Sequence, residues 1–174
     1  MFFLYKSFAL NVWESCLFYD KMILGIANIF MIGGFVLKAI QIHEFGGPEV
    51  LETVNIDEPT ANQGEVKIDL YATGLNPSES YTISGSYAYK IPDLPYIPGY
   101  DAAGIIEEVG SDVTRFSIGD RVYVSGFSAE RNTGTYAEKM VVDAKNVFPL
   151  PDNITFKEGA GLGIPSFTAY KALF

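Results

Sequence analysis

The sequence predicts a mainly β domain, built as a small barrel or sandwich, that is followed by C-terminal helices. Apolar and polar residues alternate from Val66 to Ala72, which is the pattern of a half-buried strand. Turn residues recur at short intervals, as they do between many short strands: Gly46-Gly47-Pro48, Asn76-Pro77, Pro98-Gly99 and Asp152-Asn153. The last quarter of the chain has helix-start signals instead. These three observations together indicate a β domain with helices at its end.

The remaining strands are placed by the same alternation and by the turns beside them. We expect strands at 39–43, 103–109, 121–124 and 136–142. Gly110-Ser111-Asp112 is expected to form the turn after one of them, and Gly119-Asp120 the turn before another.

Two helices are expected near the C-terminus. Thr155 and Glu158 form a Thr-x-x-Glu capping box, which predicts a helix beginning at Phe156. Pro165 is expected to interrupt it, and Ser166 to be the N-cap of a second helix. No stop signal follows this second helix, so we expect the chain to be a fragment of a longer protein.

Composition excludes several classes of function. The formal charge of −9 argues against nucleic acid and anionic membrane surfaces as partners. Cys16 and His43 are the only cysteine and histidine, whereas a structural zinc site takes about four ligands, mostly of these types. A single cysteine also excludes an internal disulfide, and we expect a cytoplasmic protein. His43 alternates with apolar residues, so we interpret it as a surface residue of a strand.

The chain has no dinucleotide-binding fingerprint. Gly159, Gly161 and Gly163 form Gly-x-Gly-x-Gly, but the fingerprint has the spacing Gly-x-Gly-x-x-Gly and follows a strand. These glycines lie in a helical stretch, so we interpret them as packing or bending positions. Without a Cys/His metal site or this fingerprint, the chain is not expected to complete redox chemistry alone.

Residues 1–37 form an apolar extension of uncertain structure. No charged residue occurs in the sixteen positions from Met22 to Leu37. One interpretation is a partly ordered N-terminal extension. The other is a membrane-associated segment at residues 22–37, although a spanning helix needs about 20 residues. Both interpretations stay open.

Four motifs resemble the medium-chain dehydrogenase/reductase superfamily. They are residues 44–51 (Glu-Phe-Gly-Gly-Pro-Glu-Val-Leu), 74–81 (Gly-Leu-Asn-Pro-Ser-Glu-Ser-Tyr) continuing to 84–87 (Ser-Gly-Ser-Tyr), 95–104 (Pro-Tyr-Ile-Pro-Gly-Tyr-Asp-Ala-Ala-Gly) and 161–170 (Gly-Leu-Gly-Ile-Pro-Ser-Phe-Thr-Ala-Tyr). Within the superfamily they most resemble the zinc-independent, zeta-crystallin type of NADPH:quinone reductase. The resemblance implies that residues 38–165 are a GroES-like catalytic β-barrel domain. Residues 166–174 would then begin the crossover helix to a Rossmann domain, which this chain lacks.

The resemblance also implies a cofactor and a substrate class. Zinc-dependent members have a cysteine ligand soon after the glycine of the 74–81 motif and Gly-His-Glu in the 95–104 motif. Here these stretches read Gly74-Leu75-Asn76-Pro77 and Gly99-Tyr100-Asp101, so no zinc is expected. The full-length relative would use NADP(H) to reduce a small-molecule quinone or conjugated carbonyl. Members are often homo-oligomers through the domain missing here, and the fragment is expected to be inactive alone.

The residues implied to be catalytic are Asn76, Tyr81 and Tyr87, and those implied to contact the nicotinamide are Asn76, Tyr81 and Thr168. An amide and phenols can donate hydrogen bonds to a quinone oxygen, and phenol rings can stack on a flat substrate. Other interpretations remain open: Asn76 is a turn residue before Pro77, the tyrosines pack in the core, and Thr168 is a first-turn helix residue.

Three alternative functions remain. The same zinc-free cleft suits an alkenal or enoyl reductase, because no feature of the sequence separates a quinone from an enone. The domain could also be a non-catalytic GroES-like binding module, since a fold does not determine a function. A membrane-tethered protein, anchored by residues 22–37, is the third.

Overall fold

The computed structural model describes residues 2–5, 37–86, 91–125 and 134–174. These ranges contain strands β1 (Phe2–Tyr5), β2 (Leu37–Gln41), β3 (Glu52–Ile56), β4 (Glu65–Leu75), β5 (Ala102–Val109), β6 (Arg121–Val124), β7 (Lys139–Asp143) and β8 (Val147–Pro149). Three α-helices are present in them: α1 (Pro77–Ile83), α2 (Phe156–Gly159) and α3 (Ile164–Leu173). Short 3-10 turns lie at Pro48–Val50 and Ala144–Asn146.

The strands form one large antiparallel sheet and one hairpin. In the large sheet the order is β1-β4-β5-β6-β8, and β7 also pairs with β4. The β2–β3 hairpin is joined to this sheet through residues 136–138: Ile40 N donates to Tyr136 O at 2.8 Å, and Glu138 N donates to Lys38 O at 3.0 Å. The predicted fold class, mainly β with C-terminal helices, is confirmed.

The long strand β4 organises the core. Val66 and Ile68 are fully buried and Leu70 is nearly so, while Lys67 and Asp69 between them are half-buried. The inward residues pack against apolar side chains of the neighbouring strands, including Ile106, Val122, Val124, Met140, Val142 and Val147. The period-two alternation in the sequence therefore corresponds to an inner and an outer face of β4.

Two strand predictions are confirmed closely, and so are the turns beside them. β5 begins one residue before the predicted 103–109, and β6 matches 121–124. The turn residues Asp112 and Gly119 have φ values of 71° and 95°, the left-handed region that Asn, Asp and Gly tolerate best.

Two other strand predictions were wrong at their ends. The strand predicted at 136–142 begins at Lys139, because Tyr136 and Ala137 pair instead with β2 of the hairpin. The strand predicted at 39–43 ends at Gln41, because Ile42 pairs with Tyr96 through two backbone hydrogen bonds of 2.8 and 3.0 Å. His43 is exposed, as expected, but lies in a bend after β2.

The capping box at Thr155 is confirmed. Glu158 N donates to Thr155 Oγ1 at 3.2 Å, and Thr155 N donates to Glu158 Oε2 at 2.9 Å. α2 begins at Phe156, as the sequence predicts.

Replacing this cap should destabilise the domain modestly. We expect Thr155→Ala to lower the free energy of unfolding by about 1 kcal/mol, because the Glu158 N–H loses its acceptor. Thr155→Ser is the matched control, since it keeps the hydroxyl. Urea denaturation of both variants checks the expectation, which fails if alanine and serine have the same effect.

The prediction that Ser166 caps the last helix was wrong. α3 begins at Ile164, two residues earlier, and Gly163 is its N-cap. The prediction that Pro165 interrupts the helix beginning at Phe156 was also wrong, because α2 already ends at Gly159. Pro165 lies in the first turn of α3, where a missing N–H costs nothing. Ile164 N instead donates to the side chain of Asp101, a residue far away in sequence.

The start of the N-terminal extension is a strand. β1 pairs antiparallel with the end of β4, from Phe2 opposite Leu75 to Tyr5 opposite Ala72. The membrane interpretation concerns residues 22–37, which lie outside the described residues except for Leu37. In the described ranges, no helix combines the length and apolar character that a membrane crossing requires.

Candidate functional site

The candidate site begins where β4 passes into α1. Asn76, between the two elements, has an extended backbone, and Pro77 occupies the first position of the helix, where proline is favoured. Asn76 N donates to Glu79 Oε2 at 2.7 Å, and Glu79 N donates to Asn76 O at 3.1 Å. Asn76 and Glu79 therefore form the N-terminal cap of α1.

The side-chain amide of Asn76 faces two carboxyl groups. Its Nδ2 donates to Glu79 Oε1 at 3.2 Å and to Asp101 Oδ2 at 3.0 Å. An amide has two N–H hydrogens, so both are committed within the protein. Asn76 is also only 6% exposed. In this arrangement the amide orients two carboxyl groups and has no spare hydrogen for a quinone oxygen.

Asp101 connects this cap to the last helix. Its carboxyl group is fully buried, and both of its oxygens lie 3.1 Å from Ile164 N at the start of α3. Its backbone oxygen accepts hydrogen bonds from Gly74 N at 2.8 Å and from Thr73 Oγ1 at 3.0 Å. Asp101 is thus held through both its main chain and its side chain.

Burial changes the acidity of both carboxyl groups. It raises the pKa of Glu79 to about 8, against the opposing effect of the hydrogen bonds from Asn76; the nearby charge of Asp101 raises it further. Burial also raises the pKa of Asp101, although the hydrogen bonds from Asn76 and Ile164 oppose this. At neutral pH we therefore expect Glu79 to be protonated.

Glycines allow these groups to approach each other. A Cβ atom on Gly163 would lie 2.1 Å from Asp101 Oδ1, and one on Gly74 would lie 2.5 Å from Ala160 O. A Cβ atom on Gly159 would lie 2.8 Å from the side chain of Leu150. These contacts support the interpretation of Gly159 and Gly163 as packing positions. The prediction that Gly159, Gly161 and Gly163 share one helical stretch was wrong, because α2 ends at Gly159 and α3 begins only at Ile164.

Tyr100 connects α1 to the barrel through a side-chain hydrogen bond. Its hydroxyl lies 2.6 Å from Thr82 Oγ1, which also donates to Ser78 O at 3.1 Å. Tyr96, fully buried, lies next to Tyr100, and burial raises the pKa of its phenol. Gly99, which precedes Tyr100, has φ of +104°, and a Cβ there would lie 2.2 Å from Thr135 Oγ1. The Gly99-Tyr100-Asp101 stretch therefore serves internal hydrogen bonding.

The predicted site residues lie in different environments. Asn76 is buried in the network just described, whereas Tyr81 on α1 is 55% exposed and Thr168 on α3 is exposed. Tyr87 lies outside the described residues. The hydrogen bonds of Asn76 join it to Glu79 and Asp101, and not to Tyr81 or Thr168. The joint role of these residues in one cleft stays a prediction.

Sequence reasoning missed Glu79 and Asp101. A signal for Glu79 existed, because Asn-x-x-Glu before an apolar position is a capping pattern. Asp101 had no local signal, since its partners Asn76 and Ile164 are 25 and 63 residues away.

Two concave regions lie away from this network. One, of about 480 Å³, lies between the hairpin and β7, where Gln41, Ile97 and Met140 are among its lining residues. The other, of about 570 Å³, lies on the outer face of β4, beside the ion pairs of Lys67 and Lys139 with Glu58 at 3.1 and 2.9 Å. Neither is lined by a predicted site residue. In the part of the chain that the structure describes, no three His, Cys, Asp or Glu side chains group as metal ligands would.

Comparison with known proteins agrees with this architecture. The family described as the alcohol dehydrogenase GroES-like domain matches residues 62–152. A quinone oxidoreductase of Mus musculus is 46% identical over 143 residues, which is 82% of this chain and 42% of that protein. The chain thus spans less than half the length of such curated relatives.

Solved structures give the same picture. The quinone oxidoreductase from Coxiella burnetii has a TM-score of 0.73 at 32% identity, covering 79% of this chain and 44% of that one. The Escherichia coli quinone oxidoreductase complexed with NADPH has a TM-score of 0.69 at 33% identity, covering 78% and 40%. The chain therefore belongs to the alcohol dehydrogenase GroES-like domain family, and within the medium-chain dehydrogenase/reductase superfamily it is similar to the quinone oxidoreductases.

Proposed function

We propose that this chain is the substrate-side domain of a zinc-independent, NADPH-dependent quinone reductase. One observation carries the proposal. The two motif stretches that hold zinc ligands in the zinc-dependent branch contain Asn76 and Tyr100 here, and both side chains are engaged in hydrogen bonds inside the protein. These positions connect α1, β5 and α3 instead of presenting ligands to a metal.

The lack of cysteine and histidine in these two motif stretches favours electron-poor conjugated substrates. A simple carbonyl is usually activated by a Lewis acid before it accepts a hydride. A quinone or an enone needs less activation, because its conjugated system delocalises the incoming electrons. The similarity to quinone oxidoreductases favours the quinone.

The residues of this chain suit the nicotinamide end of NADPH and not its phosphate end. NADPH, when bound by the complete protein, supplies the hydride. The exposed phenol of Tyr81 and the exposed hydroxyl of Thr168 can contact a flat ring and its polar substituents. A Gly-rich turn after a strand, which would hold the phosphates, does not occur in the sequence. The single cysteine also fits a reducing cytoplasm.

Binding without turnover is the test of this proposal. We expect the 174-residue chain to bind 1,4-naphthoquinone in saturation-transfer NMR and to show no NADPH-dependent reduction of it. Tyr81→Ala should weaken binding by about tenfold through the lost ring contact, whereas Tyr123→Ala, at a ring that stacks on Phe148, should not. NADPH-dependent turnover by the chain alone would overturn the proposal that this chain supplies only the substrate-side domain. Preference for an enone of similar size would favour the enone reductase, and binding of neither would favour a non-catalytic module.

Zinc independence has its own test. We expect dialysis against EDTA to leave the thermal unfolding midpoint of the chain unchanged, because Asn76 and Tyr100 are held by the protein and not by a metal. Differential scanning calorimetry before and after dialysis checks this. A lower midpoint that added zinc restores would contradict it.

A further inference from the structure

A single buried carboxylate holds two separate elements of this domain. Asp101 Oδ2 accepts from Asn76 Nδ2 at 3.0 Å, at the start of α1. Both of its oxygens lie 3.1 Å from Ile164 N, at the start of α3. Because Asp101 is fully buried, water cannot replace either partner without rearrangement.

The start of α3 has little else to cap it. Its N-cap is Gly163, which has no side chain, and Pro165 has no N–H. A helix N-terminus has unsatisfied N–H groups and favours a negative charge nearby. Asp101 supplies both an acceptor and that charge, from outside the helix.

Close packing leaves the carboxylate one position. A Cβ on Gly163 would lie 2.1 Å from Asp101 Oδ1, and a Cβ on Gly74 would lie 3.0 Å from Asp101 Cβ. The backbone oxygen of Asp101 is also fixed, by Gly74 N and Thr73 Oγ1. A shift of this carboxylate would therefore be transmitted to both helices.

We propose that Asp101 is a positioning residue, which sets the placement of α1, carrying Tyr81, relative to α3, carrying Thr168. The roles of Tyr81 and Thr168 rest on the proposed function, whereas the coupling of the two helices does not. Asp101 touches neither substrate nor cofactor in this proposal. It acts through Asn76 on one side and through Ile164 on the other.

Asparagine is the informative replacement. It has nearly the same shape as aspartate but one acceptor oxygen, and its NH2 group would face either Asn76 Nδ2 or Ile164 N. In either orientation the replacement removes one of the two oxygens that lie 3.1 Å from Ile164 N, together with the negative charge. Val66→Ala is the control for general destabilisation, because Val66 is equally buried but lies at the opposite end of β4 from Asn76.

Amide hydrogen exchange and NMR spectra test the coupling. We expect Asp101→Asn to raise exchange at Ile164 by about tenfold and to shift the side-chain NH2 signals of Asn76. Asn76→Ala should also raise exchange at Ile164, although Asn76 does not touch α3, and the double variant should be less than additive. If Asp101→Asn does not fold, amide exchange at Ile164 in Asn76→Ala alone tests the coupling. Unchanged exchange at Ile164 in Asn76→Ala would overturn the proposal.

Quinone affinity separates positioning from general destabilisation. We expect Asp101→Asn to weaken 1,4-naphthoquinone binding by about tenfold, while Val66→Ala leaves it unchanged. Equal affinity in wild type and folded Asp101→Asn would overturn the positioning role. If the wild-type chain does not bind the quinone, the proposed function fails, and exchange at Ile164 still decides the coupling.

Discussion

Gly163→Ala is expected to displace the start of α3 and to lower the free energy of unfolding by roughly 3 kcal/mol. The added Cβ would lie 2.1 Å from Asp101 Oδ1 and 2.7 Å from its Cγ. The carboxyl group cannot move away, because Asn76 and Ile164 hold it in a buried position. The variant must therefore break the cap or displace the start of α3. Urea denaturation measures the loss, and amide exchange at Ile164 locates it.

Ser166→Ala is the control for this experiment. Ser166 is exposed near the start of the same helix, and it is the residue that the sequence pattern predicts as the N-cap. We expect its removal to change the unfolding free energy by less than about 0.5 kcal/mol. A large loss of unfolding free energy in Ser166→Ala, with none in Gly163→Ala, would show that Ser166 caps the helix and would refute the role of Asp101.

Glu79→Gln is expected to flatten the dependence of stability on pH. The pKa of Glu79 is raised from 4.5 to about 8 in the folded state. Between these values the folded protein binds a proton that the unfolded chain releases. Stability due to this group is therefore fully present below about pH 4.5 and is lost as pH rises to about 8. The loss amounts to roughly 1.4 kcal/mol per pH unit at most.

The curves of unfolding free energy against pH for the wild type and Glu79→Gln should consequently cross. At pH 5 the variant should be less stable, because glutamine has one acceptor for the two donors Asn76 N and Asn76 Nδ2. By pH 8 the wild type has lost its advantage, and the variant should equal or exceed it. Chemical denaturation across this range measures both curves, with Glu44→Gln as an exposed control that keeps the wild-type slope. Parallel curves for wild type and Glu79→Gln would show that the carboxyl group does not titrate in this window.

Much of the β architecture could be predicted from local pattern. The alternation at Val66–Ala72 anticipated the inner face of β4, and Thr155 with Glu158 anticipated the start of α2. These features are encoded by residues within a few positions of each other, which is why the sequence shows them. The strand ends at 136–142 and 39–43 were misplaced, because partners distant in sequence determine them: β2 pairs with residues 136–137, and Tyr96 pairs with Ile42.

The site was predictable only in part. The motifs identified the superfamily and directed attention to Asn76, but they suggested an amide that donates to a substrate. In the structure its hydrogens go to Glu79 and Asp101. Tyr81 and Thr168 are exposed and remain predictions as ligand-contacting residues.

The sequence by itself determined the fold class, the family resemblance and the lack of cysteine and histidine ligands for zinc, since each depends on composition or on short motifs. Only the tertiary structure decided where α3 begins and what caps it. A helix N-terminus requires an acceptor for its N–H groups, but that acceptor can come from anywhere in the chain. Here it comes from Asp101, which is 63 residues before Ile164, and no pattern along the sequence indicates this contact.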